Sequence, residues 1–427
     1  MELLMACLTK VYHKFSNVRI ITWLAERYRN GFIIGNYFAY RRMKKISRKK
    51  VCENRPIKVI FLTHAPTAWM KIKSIYENMV ADSRFDTVLL ALPERPDSET
   101  NEMAQYLAKL YGDVVIEANT GDGWFDIKQL MPDYVFYQEP YDRYLAIPYR
   151  SYNVARYAKT IYISYGFALW DAIKSVSMNK LFFRNVYLYF AESTLNQEYN
   201  VNRLKKSHKY GYQKTLSVGY PIFEYLMHKK NNQVAANPED CAVLWTPRWS
   251  EDDAMGGSNF ITFKDKVIGL LNKNDTIKLI FRPHPMTFNH FIESGRITQQ
   301  EVDTYLSLYA TNSRLEYDCT GDYAEVFWRT DILLTDISSI IVEYLLTEKP
   351  IVYCDTGVVP DDFFSEILKC LYVVKEWDEA EKIVLALAKG IDPMREKRLD
   401  TIKRLFGSDF EHVSERILDA IYSDAHE

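Results

Sequence analysis

The 427-residue chain lacks the short motifs by which much nucleotide and hydrolase chemistry is recognised. It has no G-x-x-x-x-G-K-[ST], no G-x-G-x-x-G, no H-E-x-x-H and no G-x-S-x-G. A P-loop, a dinucleotide fingerprint, a zinc-peptidase helix and a nucleophile elbow are therefore not indicated. No D-x-D occurs, so no bound metal is expected, and a diphosphate would have to be neutralised by Arg, His and a helix end. The six cysteines (Cys7, Cys52, Cys241, Cys319, Cys354, Cys370) stand singly with no C-x-x-C, which suits a reducing cytoplasm and argues against a zinc site. Net charge is only −2, so nothing points to nucleic acid as a partner. There is no internal repeat, no low-complexity stretch and no signal-peptide pattern, since Glu2 sits where a basic start is expected.

What is present is an apolar fraction of 48%, ample for buried cores, in a length that suits two or three domains. Charge is unevenly spread. Residues 1–50 hold twelve Lys/Arg and two Glu, formally +10, which leaves −12 for the remainder. Most of the excess lies in "RRMKKISRKK", residues 41–50, either a solvated basic linker or a contact with an anionic membrane surface. The preceding stretch mixes Trp23, Phe32, Tyr37 and Phe38 with Arg19, Arg27 and Arg29. Its longest uncharged run, 30–40, is too short to span a bilayer, so an interfacial amphipathic helix is expected.

Beyond residue 55, apolar strand-like runs alternate with amphipathic helical patterns, as in "KVIFLTHA" before "WMKIKSIYENMVAD". That alternation predicts an α/β fold with mostly parallel, doubly wound sheets. The pattern restarts near 205–215, which predicts two Rossmann-like domains. The stretch 228–240 reads as a surface loop, and the helical tail is placed to cross back onto the first domain.

The chemistry-bearing residues follow strands, where open α/β sheets bind ligands. In "FRPHP", Arg282 and His284 each precede a proline, which favours extended backbone and predicts that both side chains project the same way as an anion site. A nearby diphosphate would hold His284 protonated. In "TDISSIIVEYLL", Asp336 is expected to cap a helix whose first turn carries Ser338 and Ser339, and Glu343 is expected to reach a ribose diol. Ordinary capping and a solvated acid are the plainer alternatives. Arg248 and Trp249 in "LWTPRW" are candidates for phosphate and for a base or glycerol. In the first half, His64, Glu139 and Tyr165 each stand just past a strand.

"RPHP" upstream of "LLTDISSIIVEYLLTEKPIVY", with "TPRW" before both and "FG…HVSERILDAI" at the tail, resembles the CDP-glycerol glycerophosphotransferases of teichoic-acid and related polymer synthesis. The resemblance is firmest over 240–420, looser over 55–200 and absent in 1–50. It implies a two-domain GT-B fold with a cleft between the domains. It also implies a cytoplasmic enzyme held peripherally on the inner face of the bacterial membrane, with a CDP-activated polyol donor, a lipid-linked glycan or polymer acceptor and no cofactor. An acceptor hydroxyl would attack the glycerol-bearing phosphorus and CMP would leave. By position, Arg282 and His284 match the family's R-x-H-P element, Ser338 and Ser339 its serine pair, and Asp336 the acid before it. The departure is "ISYGFAL", where Tyr165 precedes Gly166 in place of the usual His-Gly base. Tyrosine, with a pKa near ~10, is a poor base at neutral pH. His64 is the favoured substitute and Glu139 the other candidate. A ribitol donor, a nucleotide-sugar glycosyltransferase on the same fold, and a scaffold with a degenerate site are the competing expectations. The expected domains are a basic extension over 1–52, an acceptor domain over 53–210, a donor domain over 211–395 and returning helices over 396–427.

Overall fold

A computed structural model describes residues 33–51, 54–119, 123–230, 240–252, 256–320 and 322–427. Two parallel sheets organise it. The first holds β1 (Ile57–Thr63), β2 (Phe85–Ala91), β3 (Val115–Glu117), β4 (Tyr134–Tyr137), β5 (Lys159–Ile163), β6 (Leu188–Phe190) and β7 (Lys214–Leu216), in the order β3-β2-β1-β4-β5-β6-β7. The second holds β8 (Cys241–Thr246), β9 (Ile277–Phe281), β10 (Leu315–Tyr317), β11 (Ile332–Thr335), β12 (Ile351–Cys354) and β13 (Tyr372–Val374), in the order β10-β9-β8-β11-β12-β13. The central strands are apolar runs because helices cover both faces; every residue of β4, β5, β11 and β12 is buried.

Both sheets reverse strand order once, between β1 and β4 and between β8 and β11. A crevice opens at such a switch point, beyond the carboxyl ends of the strands. His64 follows β1 and Glu139 lies just past β4; Arg248 lies just past β8, and Asp336 to Ser339 follow β11. The candidate residues of both halves thus stand at the two places the topology reserves for ligands.

The expected boundary at 210 moves. "KTL" pairs in parallel with β6 and completes the first sheet, so that domain runs through Leu216. Nor is the division clean in the core. Phe167, Leu169 and Trp170, from the loop after β5, pack in one apolar cluster with Tyr220, Phe223, Ile337, Ile341 and Phe363 of the second half. The C-terminal helix Val413–His426 buries Val413, Ile417, Leu418 and Ile421 in the first domain's core. The expected long helix over 69–82 is broken into Pro66–Trp69 and Lys73–Ala81, and Lys71 sits in the break.

The helix Ile33–Ile46 docks on the first domain through Ala39, Met43 and Ile46, while Arg42 donates to Asn185 Oδ1 at 2.7 Å. Its outward face shows Tyr37, Phe38, Arg41, Lys44 and Lys45. Trp23, Phe32, Arg19, Arg27 and Arg29 lie outside the described residues, as does most of the 228–240 stretch. Among the described residues no helix is long and apolar enough to cross a membrane.

Candidate functional site

In the second domain, Asp336 organises the crevice rather than capping a helix. Its carboxylate is buried and accepts from the Arg248 amide at 2.9 Å, the Asn259 amide at 3.0 Å and Asn259 Nδ2 at 2.9 Å. It stitches the loop after β8 to the turn after β11. The capping expectation fails because these donors hold the carboxylate before it can reach the helix. That helix, Ile340–Tyr344, starts at Ser339 with no side-chain cap. Ser338 and Ser339 are part-exposed in the turn, and Ser338 Oγ accepts from the Ile340 amide at 3.4 Å.

Arg248 threads through the same crevice. Its Nη1 donates to the Ile337 carbonyl at 3.1 Å, and its guanidinium lies 5.1 Å over the Trp170 ring of the other half. Burial lowers its pKa to about 10, with Asp336 opposing. Gly256 backs it: φ is +104°, and a Cβ there would meet Arg248 Nε and Ile337 Cγ2 at 2.8 Å. His284 stands at the exposed rim of the next loop. Partial desolvation and the Arg248 cation lower its pKa to about 4. Nδ1 accepts from the Met286 amide at 3.2 Å, and Trp249 lies 6.0 Å from the ring between centroids. Arg248, Trp249, His284 and the serine turn are thereby brought together by three adjacent strands, β9, β8 and β11.

Arg282 and Glu343 are committed elsewhere. Arg282 Nη1 donates to Asp318 Oδ2 at 2.6 Å and Nη2 to the Thr320 carbonyl at 2.8 Å, on the β10 side. The expected parallel projection with His284 gives way to this ion pair, because Asp318 ends the neighbouring strand. Glu343 is buried and takes Lys71 Nζ of the first domain on Oε1 at 2.5 Å, with the Tyr323 hydroxyl on Oε2. Its carboxylate joins the domains and is not turned to a ribose.

In the first domain, Gln138 performs the stitching. Its Oε1 accepts from the amides of His64 at 2.8 Å and Ala65 at 2.9 Å, and its Nε2 donates to the Ala65 carbonyl at 2.6 Å. His64 Nε2 then lies 3.6 Å from Glu139 Oε2. The Tyr165 hydroxyl bonds that of Tyr141 at 2.8 Å, and a Cβ added at Gly166 would meet Ser339 Oγ at 3.7 Å. The loop that carries Tyr165 therefore runs beside the serine turn of the opposite domain. Sequence reasoning missed Gln138, Lys71 and Arg95; a polar Gln at the end of a buried strand, and an Arg before Pro after β2, were the available signals. Among the described residues no group of three or more His, Cys, Asp or Glu is placed to hold a metal ion.

Residues 180–360 match the family model of CDP-glycerol:poly(glycerophosphate) glycerophosphotransferase. Over that stretch the chain matches the model of this glycerophosphotransferase family. The matched residues span the Arg248, His284 and Ser338–Ser339 loops, so the family segment and the second-domain crevice coincide. No curated protein sequence matches the chain. Among solved structures it is similar to the wall teichoic acid polymerase TagF, at 14% identity, covering 95% of this chain and 98% of that one, with a TM-score of 0.54. It is also similar to UDP-GlcNAc 2-epimerase from Neisseria meningitidis (12%, 86% and 100%, TM-score 0.59) and a putative UDP-N-acetylglucosamine 2-epimerase from Listeria monocytogenes (12%, 86% and 96%, TM-score 0.58). At such identities these neighbours share the two-domain GT-B-type fold with this chain, and no more.

Proposed function

We propose that the protein transfers glycerol phosphate from CDP-glycerol to a hydroxyl of a membrane-linked glycan or polyol-phosphate acceptor, releasing CMP, in the synthesis of a teichoic-acid-like or capsular polymer. The observation that carries this is the meeting of Arg248, His284 and the Ser338–Ser339 turn at the second switch point, inside the family-matched segment. In this reading Arg248 and His284 face the diphosphate, the serine hydroxyls donate to it, and Trp249 lies against the base or the glycerol. Arg282 borders this site from the β10 side, and Asp336 acts by holding the loops in register. Phosphoryl transfer depends chiefly on positioning and charge neutralisation, which such a set can supply. The acceptor enters from the first domain, where His64 and Glu139 stand at the facing switch point.

A donor panel tests the reading. Incubation with cytidine, uridine and guanosine diphospho-donors should release CMP from CDP-glycerol. Release of UDP or GDP from a nucleotide sugar would assign a glycosyltransferase instead, and a CDP-ribitol preference would change the polyol.

Attachment to the inner face of the membrane is part of the same proposal. The outward face of helix Ile33–Ile46 supports it, with two aromatics beside Arg41, Lys44 and Lys45, and with Arg48 exposed just beyond. Each cation near an anionic surface is worth ~1 kcal/mol, so reversing Arg41, Lys44 and Lys45 to Glu should weaken binding to phosphatidylserine vesicles at least ~100-fold. Unchanged sedimentation with those vesicles would remove the helix from this role.

A further inference from the structure

We infer that Glu139 is the general base that deprotonates the acceptor hydroxyl, and that His64 is a positioning residue which stays neutral behind it. This rests on the transfer reaction proposed above and settles which group replaces the missing His-Gly base.

Access decides first. The His64 side chain is 3% exposed, whereas that of Glu139 is 15% exposed. A buried imidazole cannot meet an acceptor that its own partner screens. Hydrogen bonding decides next. His64 Nδ1 is buried with no partner, while Nε2 faces Glu139 Oε2 at 3.6 Å. The neutral tautomer that fits carries its proton on Nε2, aimed at the carboxylate, and leaves only a lone pair unsatisfied at Nδ1. Taking up a second proton would bury an N–H with no acceptor, which is the more costly state. His64 is therefore unable to accept the acceptor's proton at modest cost. Gln138 locks the arrangement, since it binds the His64 backbone and directly precedes Glu139.

The charges facing Glu139 fit the assignment. Burial raises its carboxyl to about 7, with Glu94 adding to the rise and Arg95 opposing it. Burial and Arg95 hold His64 down at about 4. Tyr141 and Tyr165 face the same carboxylate; burial pushes both phenols up, so neither exchanges protons near neutrality. A base that titrates near working pH gives the best compromise between deprotonated fraction and proton affinity. Tyr165 and Gly166 share one loop, and a Cβ added at Gly166 would lie 3.7 Å from Ser339 Oγ, so the acid stands beside the loop that faces the donor domain. In the step itself the acceptor O–H gives its proton to the Glu139 carboxylate. The acceptor oxygen bonds to the glycerol-bearing phosphorus, and the bond to the cytidine-bearing phosphate breaks with its electron pair leaving on CMP. Glu139 then returns the proton to water.

The test is the pH dependence of CMP release, with infrared difference titration of the carboxyl as a readout that needs no substrate. In wild type, kcat should rise with pH through a midpoint near the Glu139 value. Glu139→Gln should lower kcat about 10²–10⁴-fold and abolish that limb, while KM for CDP-glycerol changes by less than about twofold. His64→Ala should loosen the placement of Glu139 and lower kcat with little change in the midpoint, and His64→Gln should restore kcat. The protonated-carboxyl band titrating near neutrality should vanish in Glu139→Gln. The assignment is overturned if Glu139→Gln keeps the limb, if His64→Gln destroys it, or if no such band is found. A wild-type enzyme that titrates as expected but releases no CMP would sink the reaction reading and the base role with it, leaving only the raised Glu139 carboxyl.

Discussion

The ion pair between Lys71 and Glu343 makes a demanding prediction, because it joins the two domains at a point with almost no water. Lys71 Nζ donates to Glu343 Oε1 and to the Tyr323 hydroxyl, each at 2.5 Å, and the side chains of Lys71 and Glu343 are 10% and 1% exposed. Breaking a buried pair by removing one partner costs about 3–5 kcal/mol, because the other charge is stranded. In Lys71→Met the carboxylate keeps the Tyr323 hydroxyl, so the loss should fall at the low end, about 3 kcal/mol. Removing both charges in Lys71→Met/Glu343→Leu still leaves a buried phenol unpaired, worth about 1–3 kcal/mol. Adding Tyr323→Phe removes that too, and the triple variant should return to within about 1 kcal/mol of wild type, since apolar replacement of a buried pair is often neutral. Urea unfolding of the singles, the double and the triple, followed by tryptophan fluorescence, reads all of this. If Lys71→Met unfolds within 0.5 kcal/mol of wild type, or the single effects merely add, the contact does not couple the domains and the reasoning is wrong (~0.5 kcal/mol is the additivity scatter).

Three other outcomes follow from the same geometry. A diphosphate beside His284 opposes the Arg248 charge and raises the imidazole from about 4, so donor binding below neutrality should take up a proton, seen as a buffer-dependent enthalpy that His284→Ala removes. Gly256→Ala should press on Arg248 and Ile337 and, from its positive φ, add strain, weakening donor affinity about tenfold with little effect on the acceptor KM. Asp424 is held below the usual carboxylate range by Lys159 and Lys214 against its burial, and it also accepts from Tyr134 and Tyr187. Its stabilisation is complete above the unfolded pKa of ~3.9 and is lost as pH falls through the lower folded value. Asp424→Asn should therefore loosen the C-terminal helix at neutral pH and flatten the acid limb of stability, measured by hydrogen exchange over 413–426.

The sheets were legible because their central strands are unbroken apolar runs ending in polar loops. β7 was assigned to the wrong half because three residues before a helix read as the start of a new unit, and its partner β6 is visible only in space. β13 is a short edge strand buried only at Val374, which leaves little of a buried apolar run to mark it. The loops were legible for a related reason: polar residues just past a buried strand have nowhere else to point. What the sequence could not convey is partner choice. Glu343 sits where a helix acid of a ribose site would sit, but its cation lies 272 residues away. Extended backbone predicts Arg282 and His284 on one side, yet Asp318, from a neighbouring strand end, decides where the guanidinium goes.

On the proposed reading, Tyr165 in place of a His-Gly base requires no change of fold. β1, β4 and β5 are neighbours in parallel register, with Leu62 paired to Tyr137 and Tyr137 to Tyr162. Adjacent strands stand ~4.8 Å apart, so side chains just past their ends converge on one small volume. A proton acceptor can pass from the end of β5 to the end of β4 without any change of fold, provided something fixes it. Gln138 and His64 supply that here, from the residue before Glu139 and from the end of β1. The donor side has no such freedom. Asp336, in the turn after β11, binds the backbone at both ends of the loop after β8, and Arg248 is pressed between Gly256 and Trp170. A change at either residue disturbs the loop after β8 and the turn after β11 together.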